Sequence, residues 1–341
     1  MNEINNLFPF NIQLKIIYIL HEKQINSMNI LVIGAGAVGI GLATSVASQG
    51  ANVSIYARGK TARAIKKNGI KRTGLFTHYE IENVPVYETY EEIPKDHFDY
   101  IFITSKTTAN EDIADNLKHH KDILKKTGKI LIIQNGFGND EVYLKHFSKK
   151  QVFCARIITG FTRPERHISE VTVYTEPMQV GSLQNEDPSQ LQEIADLIIQ
   201  SGIKCEVTDE VDKYLWAKML YNCALNPLGA ILDKTYGELT ENPYTLEIMN
   251  NIIDEMFEVI EASPYSTFWQ NSDDYKDIFY SKLVPDTYNH YSSTHHDIQN
   301  HIKTEIDSLT GKVIQLADDY NIDVSTNKII YNLIKAIEIT F

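Results

Sequence analysis

Lys218, Asn222 and Asn226 recur at intervals of four in an otherwise apolar stretch, Trp216-Ala217-Lys218-Met219-Leu220-Tyr221-Asn222-Cys223-Ala224-Leu225-Asn226-Pro227-Leu228. Each step of four turns only about 40° around a helix, so the three polar side chains share one face. An ammonium and two amides buried without partners would each cost kilocalories. As bare structure the stripe is unfavourable. Facing a cleft, it suits a carboxylate and a carbonyl oxygen. Pro227 has no N–H to give Cys223, which predicts a bend just past Asn226 and room beside it. A second polar cluster, Ser292-Ser293 with His301-Ile302-Lys303-Thr304-Glu305-Ile306-Asp307, reads on its own as a solvated helix face. His295 and His296 are adjacent and point apart on a helix, so they make poor joint metal ligands, and no metal is expected.

The other chemical signal lies near the start. Gly34-Ala35-Gly36-Ala37-Val38-Gly39 is G-x-G-x-x-G, placed after a predicted strand and opening a predicted helix. Gly34 serves the tight turn, Gly36 lets backbone approach a pyrophosphate, and Gly39 permits close helix–strand packing. Both flanks fit dinucleotide binding. The second strand ends in Arg58-Gly59-Lys60 instead of the carboxylate that would accept from a ribose hydroxyl. A guanidinium holds a 2′-phosphate bidentately, which points to NADPH; the alternative is a solvated surface arginine.

Elements must position these groups. Strands are predicted at residues 29–33, 52–57, 98–104 and 129–134, with helices at 37–49, 61–67 and about 109–126. The alternation argues a parallel doubly wound, Rossmann-type α/β sheet. Short β-rich pieces at 152–158, 171–175 and 178–181 are expected to complete that sheet, followed by a helix at 188–200 and a last strand at 204–207. Beyond 208 the pattern is helical, at 210–232, 244–262, 297–320 and 325–338. Two domains follow: a cofactor domain over 28–208 and an all-helical substrate and catalytic domain over 209–341. The aromatic segment 263–291 either lines the cleft mouth or packs under the helices, and packing is expected.

Residues 1–27 precede the first strand and carry no motif. They are read as an upstream extension or loose appendage whose removal leaves folding and turnover nearly unchanged. Their apolar run, 12–20, is too short to span a bilayer, and no small-residue cleavage site follows it. The 341-residue chain is 43% hydrophobic and 23% charged, with a net charge of −13. Phosphate backbones want a basic face, so nucleic acid is not an expected partner. Cys154, Cys205 and Cys223 are odd in number and far apart, which fits free thiols in the cytoplasm.

Taken together, these motifs resemble the ketopantoate reductase (2-dehydropantoate 2-reductase) family from Met28 to roughly Ile337. The resemblance rests on the glycine motif, Arg58, Ser105-Lys106, Gln134-Asn135-Gly136-Phe137-Gly138, the 216–228 stretch, Ser292-Ser293 with Asp297, and Thr304-Glu305-Ile306-Asp307. It implies an NADPH-dependent reduction of ketopantoate in pantothenate and coenzyme A synthesis. By the same resemblance Lys218 is the general acid, and Glu305 orients substrate and touches the nicotinamide end of the cofactor. Asn222, Asn226 and Ser293 bind substrate, Asn135 lies between cofactor ribose and Lys218, and Lys106 is a second basic cofactor contact. Two places depart from the family's usual pattern: Thr159-Gly160-Phe161-Thr162-Arg163-Pro164, and Thr294-His295 after Ser293. They leave open a reductase of another branched 2-oxo acid. A non-catalytic NADP(H) sensor would have no use for the Lys/Asn/Glu cleft. A monomer or a homodimer is expected.

Overall fold

The computed structural model describes residues 28–341; the extension expected over 1–27 lies outside them. The first strand, β1 (Asn29–Ile33), sends Ile30 and Val32 into one core and Leu31 and Ile33 into another. That period of two, apolar on both sides, marks a strand covered on both faces. Helix α1 (Ala37–Ala47) follows, then β2 (Asn52–Tyr56), α2 (Gly59–Asn68), β3 (Ile70–Gly74), β4 (Tyr79–Ile81) and β5 (Val86–Tyr87). The chain then crosses to β6 (Phe98–Ile103), α3 (Asn110–His119), β7 (Leu124–Ile132) and β8 (Val152–Arg156). After β9 (Gly160–Glu165), β10 (Ile168–Val173), β11 (Met178–Gly181), α4 (Gln192–Gln200) and β12 (Cys205–Val207), no further strand occurs.

The main sheet has the order β12-β11-β8-β7-β6-β1-β2-β5. Every neighbouring pair is parallel except β8 with β11. From β1 the chain winds outward to β2, then returns to β6 on the other side of β1. The crevice at the carboxyl ends of β1 and β6 is therefore a topological switch point, where open α/β sheets bind ligands. The glycine motif leaves β1 there, and Ser105-Lys106 leaves β6.

Three expectations need correction. Residues 171–175 do not complete the main sheet. Strand β10 (Ile168–Val173) pairs with β9 and β3 in a separate four-stranded sheet, β4-β3-β10-β9, packed on α1. Strands β3 and β9 are polar and β4 is only three residues long, so none was legible as a strand. The fully buried Arg72 on β3 is held by Ser45, Ser201 and the Thr77 carbonyl, a set of partners scattered along the chain. The helix expected to run to 126 stops at His119, and β7 begins at Leu124. A register break between Phe98↔Leu124 and Tyr100↔Lys129 absorbs the polar run that masked the strand's start.

The helical region comprises α5 (Val211–Leu232), α6 (Tyr236–Thr240), α7 (Pro243–Ala262), α8 (Ser272–Ile278), α9 (Ser293–Gln299), α10 (Thr310–Tyr320) and α11 (Ser325–Glu338). The third correction falls here: the helix expected over 297–320 is two, α9 and α10. His301 takes a left-handed φ of 54°, and the Thr304 N–H and hydroxyl are tied to Glu338 at 2.8 and 2.6 Å. Helix α5 continues through Pro227 to Leu232. The aromatic segment packs: Tyr275 and Phe279 are fully buried, and Tyr265 lies edge-on to Phe137, centroids 4.7 Å apart. One apolar core joins Leu31, Ile103 and Ile132 of the sheet to Leu215, Trp216, Met219 and Leu220 of α5. That shared core fixes Lys218 relative to the strand ends. Among the described residues no helix is long and apolar enough to cross a membrane.

Candidate active site

Gly34 leaves β1 with φ +116°, a conformation L side chains rarely adopt, and a Cβ there would collide with the Ser105 backbone nitrogen. A Cβ on Gly39 would strike the Gly34 carbonyl, so α1 starts hard against the strand. Gly36, the N-cap residue of α1, is different: a Cβ there would meet nothing within 4 Å. Two glycines are demanded by the protein's own packing, whereas the third keeps open space over a helix N-terminus. Ala35, Ala37 and Val38 complete the loop. Open space above free backbone N–H groups is what a pyrophosphate requires, so these residues fit a dinucleotide.

Arg58 follows β2, is exposed, and has no hydrogen-bond partner among the described residues. A carboxylate does stand nearby, although not on β2. Glu88, just past β5, accepts from the Gly59 N–H at 3.3 Å and pairs with Lys66 at 2.9 Å. Its charge is engaged by a lysine, which leaves the guanidinium of Arg58 free for an anion.

Lys218 lies on α5 and donates to the Ile157 carbonyl, just beyond the end of β8. Burial pushes its ammonium down from the usual 10.5 to about 7; the nearby Arg156 lowers it further and Glu305 opposes. Asn222 is buried and its side chain has no protein partner among the described residues. Asn226 is buried too, with Oδ1 accepting from the Tyr236 hydroxyl at 2.7 Å, and its carbonyl accepts from Ser292 at 3.1 Å. Ser292 caps α9, while the expected substrate ligand Ser293 is exposed at its first turn. Neighbouring His295 is taken up by Asp233, Nε2 to Oδ1 2.6 Å.

Glu305 arrives on the break between α9 and α10. One oxygen accepts from the Thr107 N–H at 2.9 Å, and burial pushes its carboxyl above the usual range against the pull of Thr107 and Lys106. Lys106 forms an ion pair with Asp297 across the two regions. Thr107 meets Ser308, hydroxyl to hydroxyl, at 3.0 Å, and the Phe137 N–H donates to the Ser308 carbonyl at 3.1 Å. Half-buried Asn135 lies in that Gln134–Phe137 turn, its carbonyl accepting from Asn139 at 2.8 Å. Every expected group except residues 1–27 is thus placed. Lys218 and Glu305 share one field, and Lys106 and Asn135 sit on the loops leaving β6 and β7. The arrangement can hold an anionic carbonyl compound and give its oxygen a proton from a near-neutral ammonium. A recess of about 510 Å³ between α10 and α11, lined by Gln315, Asp318 and Tyr331, contains none of these groups.

Sequence reasoning missed three participants. Tyr236 orients Asn226 from ten residues downstream. Arg156 stands beside Lys218, engaged with Glu176 at 2.6 Å and Gln179 at 3.1 Å. Arg163, on β9, donates to the Ala35 carbonyl of the glycine loop at 2.9 Å. Only Arg163 lay in a segment that the sequence had marked as unusual.

Comparison with known proteins bears on the family and the fold. The family described as "Ketopantoate reductase PanE/ApbA" matches residues 30–185, and its C-terminal counterpart matches 210–338. The 2-dehydropantoate 2-reductase of Aquifex aeolicus is 34% identical over 313 residues, covering 92% of this chain and 97% of its own. That of Archaeoglobus fulgidus is 26% identical, covering 90% and 97%. Among solved structures, a ketopantoate reductase of this family from Ralstonia eutropha superposes with TM-score 0.81 at 23% identity, covering 92% of this chain and 99% of its own. D-mandelate dehydrogenase with NADH and anilino(oxo)acetate superposes with TM-score 0.80 at 20% identity and the same coverage. At those identities the structural likeness speaks for the fold.

Proposed function

This chain belongs to the ketopantoate reductase family, and on that premise we propose how its residues reduce 2-dehydropantoate to pantoate with NADPH, the step that supplies pantothenate and coenzyme A synthesis. The cofactor supplies the hydride that reaches C2 of the 2-oxo acid. Gly34, Ala35, Gly36, Ala37, Val38 and Gly39 hold the pyrophosphate, Arg58 the 2′-phosphate, and Lys106, Asn135 and Glu305 the inner part of the cofactor. Asn222, Asn226 and Ser293 hold the substrate together with Asn135. Lys218 gives its Nζ proton to the oxygen at C2 as that oxygen becomes an alkoxide, so ketone, hydride and proton make one secondary alcohol. Glu305 accepts from the substrate's C4 hydroxyl. The chain works in the cytoplasm, where its three buried free cysteines stay reduced, as a monomer or homodimer.

The carrying observation is Lys218: an ammonium near neutrality, turned by the Ile157 carbonyl toward the strand ends and coupled to Glu305. NADPH oxidation with ketopantoate and with ketoisovalerate, which lacks the hydroxymethyl group, tests the reading. A site whose carboxylate expects a hydroxyl discriminates against the analogue by orders of magnitude, and Glu305→Gln narrows the gap. Equal or better turnover of ketoisovalerate by the wild type refutes ketopantoate as the substrate.

A further inference from the structure

Apart from the Arg163 contact, the small sheet β4-β3-β10-β9 has no role in the assignments above, yet it lies on the cofactor loop. Ser169 on β10 donates to the Ala37 carbonyl at 2.7 Å, and the Phe161 ring on β9 fills the space a Cβ on Gly41 would need. The sheet is thereby registered to the first turns of α1. From it Arg163 reaches the Ala35 carbonyl with one N–H, 2.9 Å away. A guanidinium has five such donors in a planar fork, so most of Arg163 is uncommitted. Arg166, in the β9–β10 turn, places Nη1 3.4 Å from Thr61 Oγ1, in the first turn of the helix that Arg58 precedes.

We propose that Arg163 and Arg166 bind cofactor phosphates, making the small sheet a second wall of the dinucleotide site: Arg163 holds the pyrophosphate, and Arg166 joins Arg58 on the 2′-phosphate. The inference rests on the NADPH reading above. Its support is where the two side chains reach, Arg163 to the glycine loop and Arg166 to the first turn of α2. The chain has 45 acidic and 32 basic residues; around this sheet Lys66 and Lys71 have carboxylate partners, whereas Lys60, Arg63 and Lys67 of α2 have no ion pair among the described residues. Arg58, Arg163 and Arg166 have none among the described residues, although Glu165 and Glu170 are on the same hairpin. Glu165 is turned to His167 at 3.7 Å, and Glu170 accepts from Thr162 at 3.3 Å. Arg163 and Arg166 are both exposed; partial desolvation first, and then the neighbouring Arg166, lower the Arg163 guanidinium from its usual range. A simple staple between sheet and loop needs a single donor and gains nothing from a second cation beside it. Two forks facing two helix N-termini suit phosphate oxygens.

The test is direct cofactor binding by the full chain without substrate, followed by cofactor fluorescence for NADPH and NADH across a range of salt. Losing one charge-assisted contact weakens binding about ten- to hundredfold. Arg163→Gln is expected to weaken NADPH and NADH by the same factor and to flatten the rise of Kd with salt. Arg166→Gln weakens NADPH and leaves NADH nearly unchanged. Thermal melting of the apo variants separates a staple from a ligand. If Arg163→Gln lowers the melting temperature but leaves both affinities and the salt dependence unchanged, Arg163 is a staple and the inference is overturned. Loss of NADH binding equal to that of NADPH in Arg166→Gln overturns its half. Failure of the wild type to bind NADPH instead removes the functional reading itself.

Discussion

Lys218 ties the mechanism to a measurable pH dependence. In the folded chain its ammonium falls to about 7 from the ordinary 10.5. Reduction needs the protonated form, so kcat/KM with ketopantoate should hold on the acid side and fall about tenfold per pH unit above that value. The carboxylate of bound substrate favours the charged form, so the limb in kcat should lie at higher pH than the limb in kcat/KM. The same shift acts on stability. Between about 7 and 10.5 the unfolded chain holds a proton that the folded chain has released. Stability therefore rises with pH through this window, and the penalty for the buried charge is fully present below it. Lys218→Met removes the penalty. The variant should melt above the wild type near neutral pH, with the advantage shrinking as pH rises toward 10. Its turnover should drop by on the order of 10²–10⁴. Stopped-flow reduction and thermal melting, each across pH, read both effects. A wild-type kcat/KM flat from about pH 6 to about pH 9 would refute the assignment of the proton to Lys218. A wild-type–variant stability difference independent of pH would refute its burial as the cause.

Gly36→Ala puts a methyl into open space, so the apo protein should melt as the wild type does while NADPH affinity falls about tenfold or more; Gly34→Ala meets the Ser105 backbone at φ +116° and should destabilise the fold itself. Equal melting temperatures for the two would contradict the division of labour in the glycine loop. Arg58→Ala should cost NADPH binding about 1.5–3 kcal/mol and spare NADH. Equal losses for both cofactors in a titration would move the 2′-phosphate away from Arg58.

What was legible in the sequence follows from how local each signal is. The strand-glycine-helix unit at 29–47 is contiguous, and both its periodicity and its motif sit within one element pair, so fold and cofactor loop read together. The Lys218, Asn222 and Asn226 stripe was legible for the same reason, since one helix carries it. Strands β3, β4 and β9 were not. The apolar content of β3 and β9 is low and β4 has three residues, and β3 is held through Arg72 by Ser45 and Ser201, 27 and 129 residues away. Arg163 shows the limit most clearly: its type and position are plain in the chain, but its bond to Ala35 spans 128 residues. No local pattern announces such a contact.

The break between α9 and α10 links what was legible to what was not. A continuous helix over 297–320, as the periodicity suggested, would set Glu305 on a regular helical surface. Instead Thr304 is tied to Glu338 and His301 turns left-handed, which lifts the 304–308 segment toward the strand ends. There Glu305 meets the Thr107 N–H and Ser308 meets Thr107 and Phe137. Lys312, in the first turn of α10 and only 5% exposed, then closes on Glu141 at 2.6 Å. The same interruption that hides the element from a helical reading delivers the carboxylate to the Thr107 N–H and bolts the two regions together. Helix periodicity records the face a segment buries; it does not record where a buried tie such as Thr304–Glu338 forces the chain to leave that face. Glu305, the carboxylate proposed to meet the substrate, is found where that tie, and not the hydrophobic pattern, sets the path of the backbone.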